Sequence, residues 1–125
     1  MSDRPYRILV TGSRDWTDHD VVRSALVVAI YQNVPAVIIH GACPSGADAM
    51  ASWWVRRYRH LGVTEERHPA QWRTHGRGAG PIRNQHMVHL GADACLAFIR
   101  NGSRGATGCA DLAETAGIPV RRWTA

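Results

Sequence analysis

Three short turns hold the residues best suited to chemistry. They read TGSRDW from Thr11, HGACPSGADAM from His40 and RNGSRGATG from Arg100. Each joins glycine to a hydroxyl residue, and two of them carry Arg. Glycine lets a backbone approach a ligand closely, and free N–H groups at a helix start attract phosphate. Gly12, Ser13 and Arg14 form the first candidate set, Gly41, Ser45 and Gly46 the second, and Gly102, Ser103, Gly105 and Thr107 the third. One such turn is weak evidence, because turns need glycine anyway. Three on one edge of a sheet would be a stronger signal.

Two further groups suit the same ligand class. Arg83, in AGPIRNQHM, falls on the inward spacing of its helix with Met87 and Leu90. A charge there points to a cleft or to a salt bridge with Asp15 or Asp48. Asn84 beside it could hydrogen-bond a base or a ribose, or be plain surface. Asp48 stands one turn into a helix, where the dipole alone could account for a carboxylate. The sharper reading makes Asp48 a ribose acceptor or a catalytic carboxylate. Cys43 lies beside a helix start, which could lower its pKa; no His pairs with it recognisably. Asp111 and Glu114 fall off the stripe Cys109, Leu112, Ala113 and Ala116. The histidines show no metal-binding pattern, since His86 and His89 lack a CxxC or HExxH companion. No metal and no resident cofactor is expected.

The elements that must position these groups alternate regularly. Arg7–Thr11, Ala36–His40 and Ala94–Ile99 are apolar runs of buried-strand type, with Val63–His68 as a polar edge strand and Ile118–Trp123 as the last strand. Helices are expected from Thr17 or Asp18 to Asn33, from Ser45 to Leu61, from Pro81 to Gly91 and from Gly105 to Ala116. The second has the inward stripe Ala47, Met50, Ala51, Trp54, Tyr58 and Leu61. The first is apolar nearly all round, so one side should face the sheet and the other a partner subunit, giving a homodimer or higher oligomer. Pro69–Gly80, with Trp72, Arg73, His75 and Arg77, is expected to be a loop able to fold over a ligand. The pattern is α/β: a parallel sheet of order 3-2-1-4-5 with helices on both faces, and a ligand at the switch point between the first and fourth strands.

Composition sets the bounds. At 125 residues, 45% hydrophobic and 20% charged, the chain makes a single domain over 1–125 rather than a disordered polymer. All 15 basic residues are Arg, which excludes a Schiff-base Lys and a Walker-type P-loop. A high-GC genome, bacterial or phage, would produce such a bias. Three cysteines without a CxxC pair suggest a reducing cytoplasm, and neither a secretory signal nor a membrane span is evident. The net charge of +5 permits an anionic partner without identifying one. Trp53 among Arg56, Arg57 and Arg59 leaves nucleic acid as a lesser alternative.

The order TGSR, HGACPSGADAMA, HPAQW, GRGAGPIRNQHM, ADACLAF, GSRGAT and AGIPV resembles the SLOG superfamily. These are Rossmann-like three-layer sandwiches related to the Lonely Guy phosphoribohydrolases and the DprA DNA-processing proteins. The chain is most similar to their small YspA-like branch, common in actinobacteria and their phages. The resemblance runs from Arg7 to Trp123. It implies a site for a nucleotide-derived ligand. It matches Arg83 to the Lonely Guy active-site arginine and Gly102–Thr107 to the phosphate-binding glycine turn. Lonely Guy enzymes carry PGGxGTxxE there, with a catalytic Glu. This chain has NGSRGATGCAD, with Ala110 or Cys109 in that place, and Asp48 is the carboxylate able to substitute. The expected function is therefore nucleotide binding as a sensor or sequestering protein. The alternatives are an N-glycosidase acting on a nucleotide or NAD-like substrate through Asp48 and Arg83, and a DNA-binding protein.

Overall fold

The computed structural model describes residues 4–125. Five parallel strands lie in the order β3-β2-β1-β4-β5: β1 (Tyr6–Gly12), β2 (Ala36–His40), β3 (Val63–Arg67), β4 (Ala94–Ile99) and β5 (Val120–Thr124). β1 and β4 read as continuous apolar runs because a parallel strand under helices is buried on both faces. Ile8, Leu9, Val10, Ile38, Ile39 and Phe98 are accordingly inaccessible to solvent. The register is explicit: Leu9 pairs with Cys95 on one side of β1 and with Ile39 on the other.

Two apolar layers sandwich the sheet. One gathers Ile8, Val10, Ile38 and Phe98 against α1 (His19–Ile30) and α2 (Gly46–Arg57) through Leu26, Ala51 and Trp54. The other gathers Leu9, Ile39 and Cys95 against α4 (Ala79–Leu90) and α5 (Arg104–Thr115) through Met87, Cys109 and Ala113. This is an α/β Rossmann-like arrangement. Consecutive strands on opposite sides of β1 open a crevice above the C-termini of β1 and β4.

Local chemistry explains the helix starts. The Asp18 side chain accepts from the Val21 N–H, capping α1. The Trp16 indole N–H donates to the Asp18 carbonyl at 2.9 Å, fixing the entry. Gly62, at φ +90°, ends a short 3-10 turn over Arg59–Leu61 before β3.

Several expectations are corrected. α1 ends at Ile30 rather than Asn33; it buries Val22, Ala25, Leu26 and Ile30, while Val27 and Val28 face outward, on the side expected to meet a partner subunit. α2 ends at Arg57, and Leu61 is exposed, because the chain tightens into the 3-10 turn and rotates Leu61 off the stripe. Leu90 and Leu112 also lie outside the core. Ala79, Gly80, Asn84, Met87 and Val88 are the buried face of α4, one step round from the expected one. α4 begins at Ala79 with Pro81 inside its first turn, where a missing N–H costs nothing. The expected loop Pro69–Gly80 contains a one-turn helix, α3 (Trp72–His75), and a 3-10 turn over Gly76–Gly78. The last strand starts at Val120 rather than Ile118, whose side chain is spent on the core. Among the described residues no helix is long and apolar enough to cross a membrane.

Candidate ligand cleft

The three turns meet where β1 separates from β4. A cavity of about 930 Å³ lies there, walled by the ends of β1 and β2, by α4 and by the first turns of α5. Gly12, Arg14, Gly41, Asp48, Arg83, Asn84, Ser103 and Gly105 line it. Ser13, Ser45, Gly46, Gly102 and Thr107 do not.

The residues outside the lining have visible structural work. Ser13 is buried; its hydroxyl accepts from the Arg100 N–H at 2.8 Å and lies 3.4 Å from the Arg100 carbonyl, clamping the exit of β1 to that of β4. Gly46 has φ +71°, and a Cβ there would run into the Ser13 carbonyl, so α2 starts pressed beneath the first turn. Ser45 lines a separate shallow hollow with Trp53 and Met50. Gly102 follows Asn101 in a turn where both have positive φ. The Thr107 N–H donates to the Ser103 carbonyl in the first turn of α5.

Asp48 and Arg83 face each other across Gly41. A Cβ on Gly41 would strike the Arg83 guanidinium and stand 3.0 Å from Asp48 Oδ2, so a side chain there would push the guanidinium off its present seat. Arg83 Nη1 donates to the Gly41 carbonyl and, at 3.3 Å, to the His68 carbonyl; Nε donates to Asn84 Oδ1 at 2.8 Å. Asn84 Nδ2 reaches the Gly105 carbonyl at 3.5 Å, linking α4 to α5. No carboxylate pairs directly with Arg83 among the described residues, and Nη2 keeps both its N–H groups for something else. The salt bridge to Asp15 or Asp48 weighed from sequence does not form.

Asp48 is almost wholly buried. Desolvation pushes its carboxyl above the ordinary range, against the pull of His40, the Cys43 N–H at 3.4 Å and Arg83. The Cys43 thiol is raised too, by burial first and then by Asp48. That reverses the expectation of a lowered thiol and makes Cys43 a poor nucleophile.

His40 was missed from the sequence. Its Nδ1 accepts from the Ala42 N–H at 3.0 Å, which leaves Nε2 to donate to Glu65 Oε2 at 2.8 Å. That bond holds Ala42 in a left-handed conformation, φ +59°, which turns the chain from β2 toward Asp48. Burial raises the Glu65 carboxyl, but hydrogen bonds from His40, Ser52 and Arg56 outweigh it and hold the group below its ordinary value. A faint signal existed: Ile38 pairs with Glu65, so His40, two residues on, shares its face of the sheet.

At the cleft's opposite wall, Ser103 caps α5 without a side-chain hydrogen bond. A methyl added at Gly105 or Gly108 would meet no neighbour within 4 Å. Trp72 and Arg14 close the rim, with the guanidinium 5.3 Å from the ring centroid. Such an exposed cation–π contact is worth about 0.5–1 kcal/mol. Asp111 also lines the outer cavity, while with Glu114 it pairs to Arg122 at 3.0 and 2.8 Å. Among the described residues no group of three or more His, Cys, Asp or Glu could hold a metal ion.

A doubly wound α/β domain with a crevice at its topological switch point defines the class. Residues 6–75 match the family described as YAcAr, the YspA, cpYpsA-related SLOG family, and the chain belongs to it. It is 41% identical over 116 residues to the Gene 61 protein of Mycobacterium phage D29, covering 91% of this chain and 93% of that one. No solved structure gives a significant match. The family match spans β1 to α3; Arg83, Asn84 and the α5 turn lie beyond it.

Proposed function

We propose that the chain binds a nucleotide or nucleotide-derived molecule in this cleft, as a sensor or sequestering protein. One observation carries the reading. The bare first turns of α5 and two guanidinium groups without carboxylate partners among the described residues, Arg14 and Arg83, line one cavity of about 930 Å³ at the switch point. Guanidinium and helix N–H groups are what a phosphate requires, and the size suits a mononucleotide. Membership of a SLOG family is compatible with this. Titration calorimetry with AMP, ADP and NAD tests it: saturable one-site binding is expected, and absence of binding at millimolar ligand would end the proposal.

A second reading, N-glycosidase activity, is favoured by Asp48. A buried carboxyl with a raised pKa, in the wall of the same cavity, suits proton transfer to a departing base or from an attacking water. Incubation with nucleoside monophosphates and NAD should then release free base, and Asp48→Asn should abolish the release. Binding without turnover would leave the sensor alone standing. The outward-facing Val27, Val28 and Tyr31 of the first helix and its exit support self-association as a homodimer or higher, measurable by light scattering. DNA binding would instead appear as affinity falling steeply with salt.

A further inference from the structure

We propose that Trp72 is the platform on which the planar base of the ligand stacks, and that the base takes the ring face now covered by Arg14, releasing that guanidinium to the ligand's phosphate. The proposal deepens the function proposed above and rests on it. The five tryptophans separate by role. Trp16 and Trp54 are buried in the core, and Trp123 stacks on Phe98 at 4.9 Å. Trp53 stands outside the cleft on α2, beside the shallow hollow. Trp72 alone lines the main cavity, and it remains half-exposed.

Nothing in the core explains Trp72. Its helix, α3, has four residues and buries none of them. One ring edge lies over Gly80, where an added methyl would sit in van der Waals contact, 3.6 Å from Cη2, so bare backbone backs the edge of the ring. The Arg14 guanidinium lies over the ring face, 5.3 Å from its centroid. The π-face that attracts a guanidinium is the surface on which a base stacks, and an exposed cation is displaced cheaply. Arg14 has no carboxylate partner among the described residues, so the displaced charge is free to meet an anion. Base at the rim and phosphate toward Ser103–Gly105 would place each ligand part against matching chemistry.

The test compares AMP with ribose 5-phosphate by calorimetry on the wild-type chain, Trp72→Leu and Trp72→Phe. Wild type should prefer AMP by about tenfold or more. Trp72→Leu should erase that preference while leaving ribose 5-phosphate affinity nearly unchanged, and Trp72→Phe should restore most of it. Equal wild-type affinities, or a preference surviving in Trp72→Leu, would overturn the platform and leave nucleotide binding intact. Equal loss of both ligands in Trp72→Leu would make the residue a structural support and overturn it too. No AMP binding to wild type would remove the functional reading and the platform together.

Discussion

The two sides of the cleft use similar residues for opposite ends. On the β2–α2 side, a Cβ at Gly46 would collide with the Ser13 carbonyl, and one at Gly41 would push the Arg83 guanidinium aside. On the α5 side, Gly105 and Gly108 face empty space. The first wall is a locked scaffold in which His40, Asp48 and Arg83 all have partners; the second is left bare. Glycine in a turn therefore carries two different meanings, and only the surroundings of the missing Cβ tell them apart.

Arg83→Ala should break the contrast most severely. It removes a guanidinium that serves both the scaffold and the cleft, and nucleotide affinity should fall by about 2–5 kcal/mol in calorimetry. Gly46→Ala should cost about 2–4 kcal/mol of stability in urea titration, since it adds both a positive-φ penalty and a clash. Gly105→Ala should behave oppositely: stability unchanged or raised by up to about 1 kcal/mol, with ligand affinity down about tenfold. If Gly105→Ala were as destabilising as Gly46→Ala, the two walls would not differ in kind.

Asp48→Asn gives the subtlest readout, through pH. Burial raises the folded carboxyl above its ordinary 3.8, so the fold prefers the neutral form. Asp48 therefore burdens stability least below pH 3.8 and progressively more as pH rises through the raised value. The stability of Asp48→Asn relative to wild type should be near zero in acid and positive at neutral pH. A difference constant with pH would mean that the carboxyl is not desolvated.

Much of the frame was legible because RILVT, AVIIH and ACLAFI are apolar runs that only a doubly covered parallel strand needs. Crossover handedness then restricted the order to few choices, and the observed 3-2-1-4-5 is among them. The short helix at Trp72 was not legible, because one turn shows no periodicity. His40 and Glu65 were hidden by distance: they lie 25 residues apart, and only sheet register brings them to one face. Ser13 looked like a ligand group because its hydroxyl's partner, the Arg100 backbone, is 87 residues away.

The Arg83 tether has a consequence for motion. β3 is an edge strand with β2 as its single neighbour, and the His68 N–H bond to the His40 carbonyl is the last rung beyond it. Arg83 grips the carbonyls on either side of that rung, Gly41 and His68. A ligand that immobilises the guanidinium would thereby slow the fraying of a sheet edge it never touches. The His68 amide should then exchange its hydrogen more slowly when the cleft is filled, a quiet signal at the rim of the sheet.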